Sequence, residues 1–187
     1  MIRAFIAVEI DPLNKKRLSE LISCLKKSDT LVKWVNENQM HLTLKFLGNI
    51  EETKAQEVSR VLESITKDFK AFTISLSKIG AFPNINKPRV IWVAIDEGKD
   101  TLKLLADKIE SGLEKIGFAK EKREFKAHLT LGRIKSLKNI SQLTEIIQKT
   151  DFQSQGKIKI SVLILFQSTL TSKGAIYAPL AEIKLPN

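Results

Sequence analysis

The chain opens on alternation: Ile2, Ala4, Ile6 and Val8 take every second place, with Arg3, Phe5, Ala7 and Glu9 between them, which predicts a β-strand. After Pro12 the period changes, and Leu18, Leu21, Ile22 and Leu25 fall at helical spacing. A second pair of strands is expected over residues 31–35 and 40–47, the latter ended by Gly48 and Asn49. Val58, Val61, Leu62 and Ile65 predict the next amphipathic helix. Phe72, Ile74 and Leu76 then read as a strand, residues 90–95 as another, and the Pro- and Asn-rich stretch 80–88 between them as a loop. Leu102, Leu105, Ala106, Ile109, Leu113 and Ile116 make a third helix. Residues 128–133 form a strand, 140–147 a helix, 158–166 a long alternating strand and 175–185 a closing one.

Helices and strands are interspersed, and some consecutive strands are joined by short turns. This favours an α+β fold with antiparallel sheets over a doubly wound parallel one. The pattern also suggests a duplication, because a helix-containing unit ending in His-Leu-Thr-Leu occurs twice. The copies begin at His41 and His128, 87 positions apart, far too long a period for a solenoid. The expected architecture is bilobal: two pseudo-symmetric half-domains facing each other within one domain spanning residues 1–187.

Composition narrows the picture. With 43% hydrophobic residues, a chain of 187 can bury a core without disulfides or a structural metal. The single cysteine, Cys24, has no internal partner, which points to a reducing compartment and a packing role on its helix. No targeting signal opens the sequence, and no apolar run of about eighteen residues could span a membrane, so a cytoplasmic protein is expected. Charge is the first hint of a partner. Thirty-one Lys and Arg against 21 Asp and Glu give a net charge of +10, a field that favours capture of polyanions.

The chemistry lies in the repeated tetrapeptide. The chain has only two histidines, and each is followed by the same Leu-Thr-Leu, at 41–44 and 128–131. In a strand His41 and Thr43 share one face while Leu42 and Leu44 enter the core, and the same holds for His128, Thr130, Leu129 and Leu131. Two such strands facing one another place two imidazoles and two hydroxyls around one pocket. An imidazole titrates near neutrality and serves as acid or base. A pair of them suits a phosphodiester, which needs one group to deprotonate the nucleophile and another to protonate the leaving oxygen. The Thr43 and Thr130 hydroxyls can donate to the non-bridging oxygens, and Arg133 can add a bidentate cationic clamp beside Gly132.

These motifs resemble the two-histidine (2H) phosphoesterase superfamily, and within it the RNA 2′,3′-cyclic phosphodiesterases, also called 2′-5′ RNA ligases. The resemblance extends to the opening strand, to the block His-Leu-Thr-Leu-Lys-Phe-Leu-Gly at 41–48, to the strand at 89–95, and to the closing hairpin. Ala127 departs from the proline common before the second histidine. The resemblance implies an active-site cleft between the lobes, with His41 as proton donor to the leaving 3′ oxygen and His128 as the base activating water. It further implies a 2′-phosphomonoester product, and in reverse an ATP-independent 2′-5′ ligation, with transfer-RNA halves as candidate ends.

No Walker loop and no Lys-x-Asp-Gly is present, so ATP is not expected as a cofactor. Two histidines and one distant cysteine fall short of a typical zinc set, and no metal is expected. A monomer is expected. Phe5, Phe46 and Tyr177 read as core residues rather than as a platform for bases. Two rival readings stand beside the main one: a phosphodiesterase for a small cyclic nucleotide or a 2′-5′ oligonucleotide, and a non-catalytic RNA-binding module.

Overall fold

The first helix starts where the sequence best permits one. The Asp11 carboxylate accepts a hydrogen bond from the Asn14 amide at 3.0 Å, and Pro12 occupies the first turn, where no amide hydrogen is needed. A computed structural model describes residues 1–152, 156–172 and 174–187. In chain order its elements are β1 (Ile2–Glu9), α1 (Pro12–Leu25), β2 (Val32–Trp34), β3 (His41–Ile50), α2 (Glu52–Thr66), β4 (Phe72–Ile74) and β5 (Leu76–Phe82). There follow β6 (Val90–Ile95), α3 (Lys99–Glu114), β7 (His128–Ile134), α4 (Ile140–Lys149), β8 (Ile158–Ile160), β9 (Val162–Thr171) and β10 (Gly174–Lys184). Short 3-10 turns lie at Lys26–Ser28 and Glu37–Gln39.

The duplication is visible in the element starts. Ile2 to Val90, Pro12 to Lys99, His41 to His128 and Glu52 to Ile140 are each 87 or 88 positions apart. Each copy is therefore a strand, a helix, a motif strand and a second helix. The strands build two four-stranded antiparallel sheets, ordered β10-β9-β1-β3 and β2-β7-β6-β5. In each sheet the first strand of a copy lies inside and pairs with its own motif strand, β1 with β3 and β6 with β7. A two-stranded ribbon of β4 and β8 completes the fold.

One continuous core holds both sheets. It takes Ile6, Val8, Leu42 and Leu44 from one sheet and Ile91, Val93, Leu129 and Leu131 from the other, with Leu18, Leu62, Leu105 and Leu143 from the four helices. On the face of the first sheet that carries His41, a second small cluster of Phe5, Ala7, Ile164 and Phe166 stands apart from this core. No helix among the described residues is long and apolar enough to cross a membrane.

The α+β reading with antiparallel sheets in two lobes is borne out, with corrections of detail. Residues 31–35 and 40–47 do not pair with each other: β2 crosses to the second sheet and pairs with β7. The lobes are therefore not simple halves of the sequence, since β9 and β10 complete the first sheet from the C-terminal end. The strand around 72–76 is two strands, and β5 runs on through Gly80 into the expected loop. Gly80 pairs with Trp92, and a Cβ at Gly80 would lie 2.3 Å from the Trp92 ring, so only glycine lets that indole lie against the strand. The long strand near 158–166 is broken at Ser161 into β8 and β9.

Candidate active site

Both histidines begin their strands and are held in the same way. The Nδ1 of His41 is 2.8 Å from the Gln39 carbonyl, and the Nδ1 of His128 is 2.6 Å from the Lys126 carbonyl. A carbonyl only accepts, so each Nδ1 carries the hydrogen, and Nε2 is left as the nitrogen open to substrate. Each ring also rests on aromatic neighbours. His41 lies 4.7 Å from the Phe5 ring and meets Tyr177 edge-on at 5.1 Å. His128 meets Phe82 edge-on at 5.1 Å, with Trp92 at 6.3 Å.

A β-bulge at the fourth residue of each motif sets what else shares the histidine's face. Ala7 pairs with Thr43 and Ile6 with Lys45, so Leu44 is the extra residue; Trp92 pairs with Thr130 and Ile91 with Gly132, so Leu131 is the extra residue. Strict alternation would put Arg133 on the side of Leu129 and Leu131. The bulge returns it to the side of His128 and Thr130, and Phe46 returns beside Phe5 and His41 in the same way. The structure thus groups His41 with Thr43, and His128 with Thr130 and Arg133.

Each bulge also turns two consecutive residues inward. In β7 the second is Gly132, and a Cβ there would lie 2.7 Å from Val32 and 2.8 Å from Trp34. In β3 the second is Lys45, whose side chain is only 3% exposed and therefore needs a partner. It finds Glu110 of α3 at 2.7 Å and the Ala119 carbonyl at 3.2 Å. Glu110 also accepts from the Glu121 amide at 3.3 Å, so this buried pair ties the first motif strand to the segment leading to the second histidine.

The electrostatics disfavour charge on either ring. Burial pushes His41 down to about 4, opposed by its bond to the Gln39 carbonyl and assisted by Lys15. His128 is lowered by burial as well, against its bond to Lys126 and with help from Arg133. Tyr177, on the first sheet, is raised by burial and lies in the field of both Arg3 and Arg133. Arg133 belongs to the other sheet, and the motif strands β3 and β7 touch. Both rings are thus neutral at pH 7 until an anion arrives, and a bound phosphate would favour protonation of one of them.

Sequence reasoning missed four contributors here. The carbonyls of Gln39 and Lys126 could not be anticipated, because orientation by a backbone oxygen leaves no residue-type signal. Phe46 is 58% exposed and Tyr177 half-buried, so neither is the core residue expected, whereas Phe5 is buried. Among the described residues no group of three His, Cys, Asp or Glu is arranged to hold a metal ion.

A family model described as LigT-like phosphoesterase matches the chain twice, over residues 8–92 and 93–177, with one histidine motif in each match. The chain belongs to this family. Its similarity to curated members runs over nearly the whole length. It is 37% identical to the RNA 2′,3′-cyclic phosphodiesterase of Archaeoglobus fulgidus, covering 95% of this chain and 97% of that protein. It is 36% identical to the protein of the same name from Aeropyrum pernix, covering 90% and 94%. Among solved structures, a Thermus thermophilus protein superposes with a TM-score of 0.82 at 23% identity, covering 98% of each chain. Escherichia coli LigT superposes at 0.79 and 21% identity over 100% of this chain and 98% of the other.

Proposed function

We propose that the protein opens the 2′,3′-cyclic phosphate at RNA ends, giving a 2′-phosphomonoester, with His41 and His128 as its acid–base pair. The observation that carries this reading is the matched pair of imidazoles. Each is fixed through Nδ1 to a backbone carbonyl, and the two stand on strands of different sheets that contact each other. Membership in a family whose curated relatives are RNA 2′,3′-cyclic phosphodiesterases supports the substrate.

In the proposed step, His128 Nε2 takes a proton from water as the water oxygen bonds to phosphorus. His41 Nε2 gives its proton to the 3′ oxygen as the bond from phosphorus to that oxygen breaks. The cyclic diester is anionic, and its approach offsets the burial that otherwise keeps His41 neutral. Thr43 and Thr130, half-buried on the same faces, donate to the non-bridging oxygens. The exposed guanidinium of Arg133 neutralises the charge that gathers there.

The test is incubation in EDTA, without ATP, with a short RNA ending in 2′,3′-cyclic phosphate. A 2′-phosphate product is expected, and His41→Ala and His128→Ala should each cost about 10²–10⁴ in kcat. RNA that binds but is not opened, or activity that survives loss of either histidine, would overturn the reading in favour of a binding module or another mechanism.

A further inference from the structure

The strand that crossed between sheets brings a second cation to the site. Lys33 of β2 stands directly opposite Arg133 of β7, and both are exposed. Like charges directly opposed across two strands are destabilising, and among the described residues no acidic side chain pairs with either. Val32 and Trp34 pack over Gly132 on the core side, so Lys33 and Arg133 project from the other side, shared with Thr130 and His128. Among the described residues no strand covers the outer edge of β3, so this pairing has no counterpart in the first sheet. Lys135, exposed just past the end of β7, lengthens the positive edge.

We propose that Lys33 binds the phosphodiester on the 5′ side of the terminal nucleotide, so that Lys33 and Arg133 form a short track for the RNA backbone. The proposal rests on the cyclic-phosphate reading above. The reacting phosphate is the 3′ end of its strand, so the RNA must leave the site in the 5′ direction. Arg133 lies on the histidine strand, and Lys33 lies opposite it on the next strand outward, about 4.8 Å away across the ladder. Arg133, whose charge acts on His128, serves the reacting phosphate, and Lys33 on the outer strand serves the next. The simpler role for a lysine on an edge strand is to block edge-to-edge pairing, and that role is indifferent to substrate length.

Substrate length therefore decides. A nucleoside 2′,3′-cyclic monophosphate has no upstream phosphodiester, whereas a trinucleotide with the same end has two. In Lys33→Gln the ratio of kcat/KM for trinucleotide over mononucleotide should fall about tenfold. The slope of log kcat/KM against log salt for the trinucleotide should weaken by about 0.7, the loss of one single-strand phosphate contact. Lys33→Arg should keep both. A ratio unchanged within about twofold would overturn the proposal. Anisotropy of a labelled trinucleotide ending in 2′-phosphate gives a readout independent of turnover. If the unaltered protein opens neither substrate, the reaction assigned above fails. Weaker trinucleotide binding by Lys33→Gln would then still uphold the Lys33 contact, and equal binding would remove it.

Discussion

Replacing His41 by Gln should change how the protein's stability depends on pH, by an amount the structure fixes. Burial holds the folded-state pKa of His41 at about 4, against a value of 6.5 when it is unperturbed. Between those two values the unfolded chain binds a proton that the folded chain refuses, so stability rises with pH there. The contribution is fully present above pH 6.5 and is lost as pH falls toward 4. At pH 4 the loss amounts to about 3 kcal/mol, from about 1.36 kcal/mol for each pKa unit separating the two states. That is a large part of the roughly 5–15 kcal/mol that holds a typical domain folded. Carboxylates also titrate in this range, so the quantity to follow is the difference between the two proteins. Urea unfolding at pH 7.5, 6.5, 5.5 and 4.5 would supply it. The unaltered protein should lose about 2.5 kcal/mol relative to His41→Gln between the extremes. Parallel curves, with a difference constant within about 0.5 kcal/mol, would refute the burial of a neutral imidazole beside Phe5 and Tyr177.

Three further outcomes follow from the site. Because both histidines are lowered in the free protein, the bell-shaped profile of kcat/KM should peak below pH 6.5; a maximum above pH 7 would contradict it. Thr43→Val and Thr130→Val should each lower kcat by a factor on the order of ten to a thousand, with thermal unfolding little changed, if the hydroxyls meet the phosphate oxygens. The Gln39 side-chain amide donates to the Ala175 carbonyl on the β9–β10 hairpin, while its own carbonyl orients His41. Gln39→Ala should therefore lower kcat about tenfold with little change in KM, as loss of a positioning bond does, and Gln39→Glu should not restore it, because an ionised carboxylate cannot donate to a carbonyl.

Much of this site is readable in the sequence because its period is short. His-Leu-Thr-Leu is an alternation, so the face shared by histidine and threonine follows from strand geometry alone. The place of Arg133 does not follow, since an odd spacing from His128 puts it on the leucine face until the bulge at Leu131 intervenes. The only trace of that bulge is Gly132, a residue that often marks one; at the matching place in β3 stands Lys45, which marks nothing. Depth is equally hidden. Phe5 and Phe46 pair across β1 and β3 on one face, yet the inner strand buries the first and the sheet edge exposes the second. The crossing of β2 to the other sheet was missed because proximity in sequence favours a local pair, whereas β3 takes β1 as its partner and β2 takes the open edge of β7.

The duplication supplies the geometry, and the proposed direction has to come from the departures from it. Hydrolysis needs two imidazoles in opposite protonation states, and two identical strands in identical settings would give no preference for which is which. The position four residues after each histidine differs: glycine under Trp34 in one copy, a buried lysine paired with Glu110 in the other. The position five residues after differs as well, and these side chains share the histidines' faces: exposed Phe46 in one copy, exposed Arg133 in the other. Arg133 and its opposite number Lys33 put exposed positive charge on the His128 side, while Lys15 acts on His41. A cation beside an imidazole disfavours its protonated form and so favours the neutral one, which is the state a general base needs before the reaction. Both rings are lowered chiefly by burial, a penalty that a bound anion offsets, so a proton can arrive with the substrate. In the proposed reaction His128 is the base and His41 the acid, and the RNA strand leaves along the side that carries Arg133 and Lys33.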